Sequence, residues 1–308
     1  MKIVFMGTPD FAAHSLRALL HSEHHVVAVV TAADKPWGRG QKVLPSPVKA
    51  VAVEHGLPVL QPLSLKDERF IGELKSYNAD IFVVVAFRIL PVQVFTIPPQ
   101  GTLNIHASLL PRYRGAAPIN WAIINGEKET GVTSMLIDEK VDTGNILLQE
   151  KTEITPEMTA GELHDKLALL GAKLLLRTLD GLQKNRIQPI IQNNALASKA
   201  PKITRELCHL KFDKPVDRVY NLIRGLNPYP AAFCYHKGNL LKIFTGKPVY
   251  EPPVAKCGEI SAIGKDYFDI ACIDGIIRVT DVQLQGKRRM AVADFLNGYK
   301  INIGDSFS

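Results

Sequence analysis

Short runs of β-branched and other apolar residues alternate with helix-like segments through residues 1–150, and this alternation limits the possible folds more than any other feature. Runs at 2–6 and 26–30 flank a segment, 11–20, in which apolar residues recur at helical spacing. The run at 26–30 has the continuous β-branched character of a strand covered on both faces, and further strands are predicted at 81–85 and 101–105. Strands joined by helices in this order predict an α/β fold with a doubly wound, mostly parallel, Rossmann-like sheet.

The pattern changes after residue 130. Further strands are predicted at 131–137 and 146–151, followed by a long helix over 159–182 with leucines on one face. A polar stretch without periodicity follows, and beyond it strand-length runs lie at 232–235, 241–244, 267–273 and 276–279. Such a series predicts a small open β-barrel similar to an OB-fold. We therefore predict an α/β domain at 1–189, a linker at 190–207 and a β-barrel domain at 208–308.

Composition excludes several classes of protein. The chain is 46% hydrophobic and 22% charged, as expected for a globular protein, and its longest apolar run, 81–87, is far too short to cross a bilayer. The first residues lack the shape of a signal peptide, so we expect a cytoplasmic protein that does not contact a membrane. The four cysteines form no Cys-x-x-Cys pair, which predicts reduced, structural cysteines and no zinc site.

Charge is unevenly distributed along the chain. Residues 199–308 hold 17 Lys and Arg against 11 Asp and Glu, and they therefore carry +6 of the formal net charge of +7. A basic domain beside a neutral one indicates a polyanionic partner such as RNA. Plain solubility explains the same excess, so charge alone leaves both interpretations open.

The first strand is followed by Gly7-Thr8-Pro9, where a nucleotide-binding fold places its glycine-rich loop. The segment lacks the spacing of that motif, and Pro9 removes an amide that a phosphate would need. We expect this turn to start a helix and not to bind a nucleotide.

A different segment, 104–111, follows a predicted buried strand at the sheet edge where α/β folds bind ligands. Asn104 and His106 are two residues apart on an extended chain, so their side chains share a face. An amide beside an imidazole suits acyl-type chemistry, in which one group polarises a carbonyl and the other handles a proton. Asp142, on a Gly-containing turn, is a candidate third member, although Asp-x-Gly alone is more often a plain turn.

Several segments together resemble one family along nearly the whole chain. They are Met-Gly-Thr-Pro-Asp-Phe-Ala at 6–12, Pro-Ser-Pro-Val-Lys at 45–49, Asn-Ile-His-Ala-Ser-Leu-Leu-Pro-Arg-Tyr-Arg-Gly-Ala-Ala-Pro-Ile at 104–119, Asp-Thr-Gly-Asn-Ile-Leu at 142–147, Leu-Ile-Arg-Gly-Leu-Asn-Pro-Tyr-Pro at 222–230 and Gln-Gly-Lys-Arg-Arg-Met at 285–290. This set is similar to the methionyl-tRNA formyltransferases. The resemblance implies formyl transfer from 10-formyltetrahydrofolate, as co-substrate, to methionine on initiator tRNA, with no metal or nucleotide required.

The resemblance also implies roles for individual residues. Asn104, His106 and Asp142 match the family's catalytic positions. The expected folate-binding residues are Ser108, Leu109, Leu110, Pro111, Phe87 and Arg88. The family's tRNA-facing loop falls on 34–46, and with the basic last third it predicts tRNA contacts at Lys35, Arg39, Lys42, Lys199, Lys202, Lys287 and Arg288. The chain departs from the family at four positions: it has Arg88 in a shortened segment, Lys140 and Ala231 where glycine is common, and Asn145 where an acid is common.

Alternatives share the same three polar residues. A formyltransferase acting on another amine, such as an amino sugar nucleotide, or a hydrolase releasing formate would use a similar site. An RNA-binding protein without catalysis is a different class, and it would have no need of Asn104, His106 and Asp142 together. The loop that bears Arg39 and the basic last third favour the tRNA substrate, and we expect a monomer.

Overall fold

The computed structural model describes residues 1–37 and 42–308, which form two compact units. The first contains Met1–Gly115, Thr130–Glu153 and His164–Ala200, and the second contains Ala116–Glu129, Ile154–Leu163 and Pro201–Ser308. Each unit is thus assembled from several stretches of chain. The domain boundaries predicted at 189 and 208 stay a prediction.

The first unit is built on a seven-stranded sheet. Its strands are β1 (Lys2–Gly7), β2 (His25–Val30), β5 (Val59–Leu60), β6 (Ile81–Val85), β7 (Thr102–His106), β8 (Glu129–Leu136) and β9 (Ile146–Glu153). Their order across the sheet is β5-β2-β1-β6-β7-β8-β9, and the five strands from β5 to β7 are parallel. Strand β8 runs antiparallel to β7. The predicted doubly wound, mostly parallel sheet is confirmed.

Helices connect and cover these strands. They are α1 (Asp10–Leu20), α2 (Pro47–Glu54), α3 (Glu68–Ser76), α4 (Val92–Phe95) and α6 (Ala160–Gln183). Side-chain caps start two of them, because Ser46 accepts from the amide of Lys49 and Asp67 accepts from that of Phe70. Every residue of β6 is buried, as its unbroken β-branched and aromatic run predicts.

A two-stranded hairpin lies in the connection between β2 and α2. Its strands are β3 (Lys35–Trp37) and β4 (Lys42–Leu44), which pair in antiparallel fashion. This hairpin falls within the 34–46 segment that the resemblance assigns to tRNA.

The second unit holds an antiparallel sheet made of β10 (Ala232–His236), β11 (Asn239–Val249), β12 (Ile260–Ile263), β13 (Phe268–Ala271), β14 (Ile276–Leu284) and β15 (Met290–Ala291). Strands β10 and β12 stand at the two ends of the strand order. The last residues of the chain form one bridge to β10, His236 with Phe307, and one to the residue before β12, Glu259 with Ser306. This closure gives the predicted barrel-like character. Helices α5 (Pro118–Ile124), α7 (Val216–Gly225) and α8 (Val292–Gly298) complete the unit.

In the described part of the chain all four cysteines are free, and only Cys257 is exposed. Burial raises the pKa of the Cys272 thiol to about 12, which keeps it protonated and unreactive. Among residues 1–37 and 42–308, no helix combines the length and the apolar character that crossing a membrane requires.

Candidate active site

Strand β7 brings Asn104 and His106 to the carboxyl edge of the parallel sheet. The strand order reverses between β1 and β6, and ligands of such sheets bind beyond the strand ends at this point. Asn104 and His106 pair with Met135 and Thr133 of β8, so both project from the same face of the sheet. Among the described residues, the Asn104 side chain makes no hydrogen bond, which leaves its amide available to a ligand.

The loop that follows β7 folds back over His106. The imidazole Nε2 lies 2.9 Å from the backbone carbonyl oxygen of Tyr113. A carbonyl oxygen only accepts, so Nε2 carries a proton and donates it to Tyr113. Nδ1 is then the ring atom that is open to the site. His106 as a whole is 7% exposed, so the ring has little contact with solvent.

Asp142 reaches the site from the turn between β8 and β9. The turn packs tightly, because a Cβ on Gly144 would lie 1.7 Å from the carbonyl oxygen of Leu136. Asp142 itself has a φ of +56°, in the left-handed region that few non-glycine residues adopt. Its Oδ2 accepts a hydrogen bond from the amide of Gly115 over 2.8 Å.

The strand β7 and the turn between β8 and β9 together place a carboxylate beside an imidazole. Oδ2 of Asp142 lies 3.7 Å from Nδ1 of His106, and the two side chains are 11% and 8% exposed. The separation is too long for a hydrogen bond, so the backbone carbonyl of Tyr113 orients the ring. An amide, an imidazole nitrogen and a carboxylate thus face the same edge of the sheet, where they suit transfer of an acyl group to a nucleophile with removal of a proton.

The residues expected to bind folate differ in their burial and in their contacts. Ser108 is fully buried and donates to the carbonyl of Arg112, so its hydroxyl shapes the loop. Leu110 packs with Met135 and Ile146, and a cis peptide bond joins it to Pro111. Their roles toward a ligand stay a prediction.

Two more of those residues follow β6. Arg88 is exposed and donates to the carbonyls of Pro62 and Leu63, with its guanidinium 5.2 Å from the centre of the half-buried Phe87 ring. The charge of Arg88 therefore anchors the neighbouring segment at 62–63. Leu109 is half-buried, and its Cδ2 would lie 2.6 Å from a Cβ on Gly131.

The residues expected to contact tRNA lie in both units. Lys199 in the first, and Lys202, Lys287 and Arg288 in the second, are exposed. Lys35 and Lys42 are on the hairpin strands β3 and β4, and Arg39 lies outside the described residues. The departures Lys140 and Asn145 are exposed on the Asp142 turn.

A cluster that sequence reasoning did not find holds the base of the 34–46 segment. The Lys49 ammonium pairs with the Asp34 carboxylate, and Gln61 bonds to both side chains. The hydrogen bond from Lys49 lowers the pKa of Asp34, with Gln61 acting in the same direction. Sequence reasoning also missed Gly115 and Tyr113, which act through backbone atoms and leave no side-chain signal. In the part of the chain that the structure describes, no three His, Cys, Asp or Glu residues are placed to hold a metal ion.

Comparisons with known proteins identify the family of the chain. A formyl transferase family model matches residues 1–179, and a model of the formyl transferase C-terminal domain matches 202–300. The methionyl-tRNA formyltransferase of Bacteroides thetaiotaomicron is 44% identical over 99% of this chain and 97% of its own. That of Pelotomaculum thermopropionicum is 47% identical over 97% and 96%.

Solved structures share the fold at lower identity. An N-formyltransferase from Helicobacter canadensis, solved with folinic acid and dTDP-3-aminofucose, is 23% identical with a TM-score of 0.66 over 94% of this chain and 100% of its own. A methionyl-tRNA formyltransferase from Clostridium thermocellum is 18% identical with a TM-score of 0.55 over 80% and 93%. With both family models matched in order and near-full-length relatives above 40% identity, the chain belongs to the formyl transferase family.

Proposed function

We propose that this protein transfers the formyl group of 10-formyltetrahydrofolate to the α-amino group of methionine on initiator tRNA. The observation that carries the proposal is the approach of Asp142 to His106 at the carboxyl end of β7. It is supported by relatives of 42–47% identity, over nearly the full chain, that are named methionyl-tRNA formyltransferases. The exposed basic residues Lys287 and Arg288 suit a polyanionic acceptor.

The reaction needs a neutral amine as nucleophile and hydrogen-bond donors that stabilise the negative charge on the formyl oxygen. The amine nitrogen forms a bond to the formyl carbon, and the carbonyl oxygen becomes an oxyanion. The Asn104 amide has free donors for that oxygen, and Nδ1 of His106 donates to it when the ring is doubly protonated. In a site this poorly hydrated, each such donor is worth about 3–4 kcal/mol.

The proton of the amine also needs an acceptor. Asp142 takes it, either directly or through one water, on the oxygen that the Gly115 amide already holds. The oxyanion then reforms the carbonyl as the bond from the formyl carbon to the folate nitrogen breaks. The proton held by Asp142 passes to that nitrogen, directly or through one water, so that the nitrogen leaves protonated and the carboxylate is restored. The carboxylate 3.7 Å from His106 also stabilises positive charge on the ring during the transfer.

The test compares acceptors for the formyl group of 10-formyltetrahydrofolate. Charged initiator tRNA, charged elongator tRNA, free methionine and an amino sugar nucleotide are each supplied at equal concentration, and formylated product is measured. We expect initiator tRNA to be formylated far faster than the other acceptors. Faster transfer to the sugar nucleotide, or release of free formate without transfer, would contradict the proposal.

The contribution of the 34–46 segment has its own test. Arg39→Ala is expected to reduce the preference for initiator over elongator tRNA, because the resemblance places this loop against the tRNA. An unchanged preference would remove Arg39 from the proposal and leave the transfer reaction in place.

A further inference from the structure

Gln192 lies in the polar stretch predicted to be a linker, yet it is 5% exposed. Its Nε2 donates to the backbone carbonyls of Asp142 over 3.0 Å and Gly144 over 2.7 Å. Its Oε1 accepts from Arg114, over 2.6 Å from Nη2 and 3.1 Å from Nε. Both ends of the amide are therefore used, and a buried polar side chain this well satisfied has a defined orientation.

The contacts of Gln192 join two arms of the candidate site. One arm is the turn that carries Asp142. The other is the 113–115 loop, in which the Tyr113 carbonyl holds His106 and the Gly115 amide holds the Asp142 carboxylate. Gln192 sits between them, bonded to the backbone of the first arm and to the Arg114 side chain of the second.

The neighbours of Gln192 in sequence hold the second arm as well. Ser198 accepts a hydrogen bond on its carbonyl from the amide of Arg114, and its hydroxyl accepts one from the amide of Tyr113. The carbonyl of Arg114 accepts from the amide of Ala200 over 2.7 Å. Residues 192–200, which we call the brace, thus fix the 113–115 loop by hydrogen bonds.

The first arm, the turn that carries Asp142, depends on such contacts because its backbone is strained. Asp142 holds a φ of +56°, which costs about 1–3 kcal/mol for a residue with a side chain and persists only where its surroundings enforce it. The amide of Gln192 binds the carbonyl of this same residue. Without that bond, the turn can relax toward an unstrained conformation, and the carboxylate would then move away from His106.

We propose that Gln192 is a positioning residue for formyl transfer, which sets the distance between the Asp142 carboxylate and His106 by tying their two arms together. Gln192 touches no reacting atom and acts through Asp142. The inference rests on the proposed function, because it assumes that Asp142 and His106 carry out the transfer.

Two substitutions separate the contacts of Gln192. Gln192→Met keeps the side-chain length and removes every hydrogen bond of the amide. Gln192→Glu keeps an acceptor for Arg114 and loses both donors to the carbonyls of Asp142 and Gly144. We expect either change to lower kcat by about tenfold or more, since small misplacements of reacting groups are costly, with KM for the formyl donor nearly unchanged.

Thr178→Val is the matched control for a loss of stability. The Thr178 hydroxyl is fully buried and bonds to Ser134, whose strand partner Ile105 lies on the opposite face from Asn104 and His106. The control therefore removes a buried hydrogen bond from the same unit without touching the site. It is expected to lower the melting temperature as the Gln192 variants do, and to leave kcat unchanged.

A double-mutant cycle with Asp142→Asn decides whether Gln192 works through Asp142. If it does, adding Gln192→Met to Asp142→Asn produces little further loss of kcat. A fully additive loss, or an unchanged kcat in Gln192→Met and Gln192→Glu, overturns the inference. If Asp142→Asn alone retains full activity, the proposed function of the site fails instead, and the two failures are thereby distinguished. Should Gln192→Met fail to fold, Gln192→Glu in the same cycle gives the answer.

Discussion

The backbone amide of Gly115 donates to Oδ2 of Asp142 over 2.8 Å, and this same oxygen is the one that faces His106. The hydrogen bond fixes the rotation of the carboxyl group, so that a defined oxygen atom is presented to the site. A Cβ on Gly115 would lie 2.6 Å from the carbonyl oxygen of Ala200, and the backbone here approaches that segment as closely as only glycine allows. The candidate proton acceptor is thus positioned by backbone atoms from distant parts of the chain.

The first prediction concerns turnover. His106→Ala and Asp142→Ala are each expected to lower kcat for formyl transfer by about 10²- to 10⁴-fold, because each removes a group that acts on the transition state. KM for 10-formyltetrahydrofolate is expected to change little, since neither group is assigned to holding the folate. Steady-state kinetics with charged initiator tRNA measures both constants. Turnover that survives nearly intact in either variant would show that the assignment is wrong.

Gly144 supports a second prediction. A Cβ at this position would lie 1.7 Å from the carbonyl oxygen of Leu136, so Gly144→Ala must displace the turn that carries Asp142. We expect a large loss of kcat together with a lower melting temperature. Gly72→Ala in α3 is the control, because a Cβ there has no described atom within 4 Å, and it should be neutral or slightly stabilising. A fully active Gly144→Ala enzyme would contradict the view that this turn must stay in place.

Much of the fold could be predicted from the sequence, because buried parallel strands are encoded as continuous apolar runs. β6 is found at the predicted residues, and β7 is shifted by one residue from the predicted 101–105, to Thr102–His106. Helix α7 was not predicted, although its apolar residues Val216, Val219 and Ile223 have helical spacing. Their signal is short and lies between the predicted linker and the segments that favour strands, so local pattern alone did not separate it.

The candidate site could be predicted only in part. Asn104 and His106 share a strand, and their relation follows from spacing alone. The role of Asp142 depends on its contact with Gly115, and that of Gln192 depends on its contacts with both arms. Only the tertiary structure brings these residues together. A polar stretch such as 190–207 shows no periodicity whether it is a solvated linker or a brace packed against a site.

The third prediction concerns backbone strain. Ala86 is exposed and has a φ of +47°, in the left-handed region that costs a residue with a Cβ about 1–2 kcal/mol. Ala86→Gly removes this cost, but it also raises the conformational entropy of the unfolded chain, which offsets part of the stabilisation. We expect a net stabilisation of about 0.5–1 kcal/mol. Urea unfolding measures the difference.

Ala231 provides the contrast to Ala86. Its φ is +71°, but it is 1% exposed, so Ala231→Gly also loses a buried methyl group worth about 0.8 kcal/mol. We expect this variant to be close to wild type in stability. Equal stabilisation by the two changes would mean that burial of the Ala231 methyl group does not contribute, and destabilisation by both would mean that the backbone conformation does not control them.

A fourth prediction tests the basic turn between β14 and β15. Lys287 and Arg288 are exposed, whereas Arg289 is bound by Asp281 and lies over the ring of Phe244. Replacing Lys287 and Arg288 together by glutamate should weaken tRNA binding and reduce the slope of log K against log salt by about 0.7–0.9 for each phosphate that is no longer neutralised. Filter binding at several salt concentrations measures both the affinity for tRNA and this slope. Lys265→Glu, an exposed residue of the same unit, is the control, and an equal effect there would indicate a general charge effect only.

The last prediction concerns acid stability of the second unit. Asp305 accepts hydrogen bonds from Lys237, the amide of Asn302 and His236. The contacts with His236 and Lys237 tie the C-terminal residues to the end of β10. Lys237, followed by the Asn302 amide, lowers the pKa of Asp305 to about 2 from an ordinary value of 3.8. Because the folded pKa lies below the unfolded one, this carboxylate stabilises the fold fully above pH 4 and loses its contribution as the pH falls toward 2.

Asp305→Asn should therefore be less stable than wild type at neutral pH, and the gap should close as the pH approaches 2. Urea unfolding in a Trp37→Phe background measures it, because Trp121 then reports on the second unit alone. Asp266→Asn removes an exposed carboxyl from the same unit and serves as the control for the loss of one negative charge. A gap between Asp305→Asn and wild type that is constant from pH 7 to pH 2 would mean that the contacts of Asp305 do not depend on its charge.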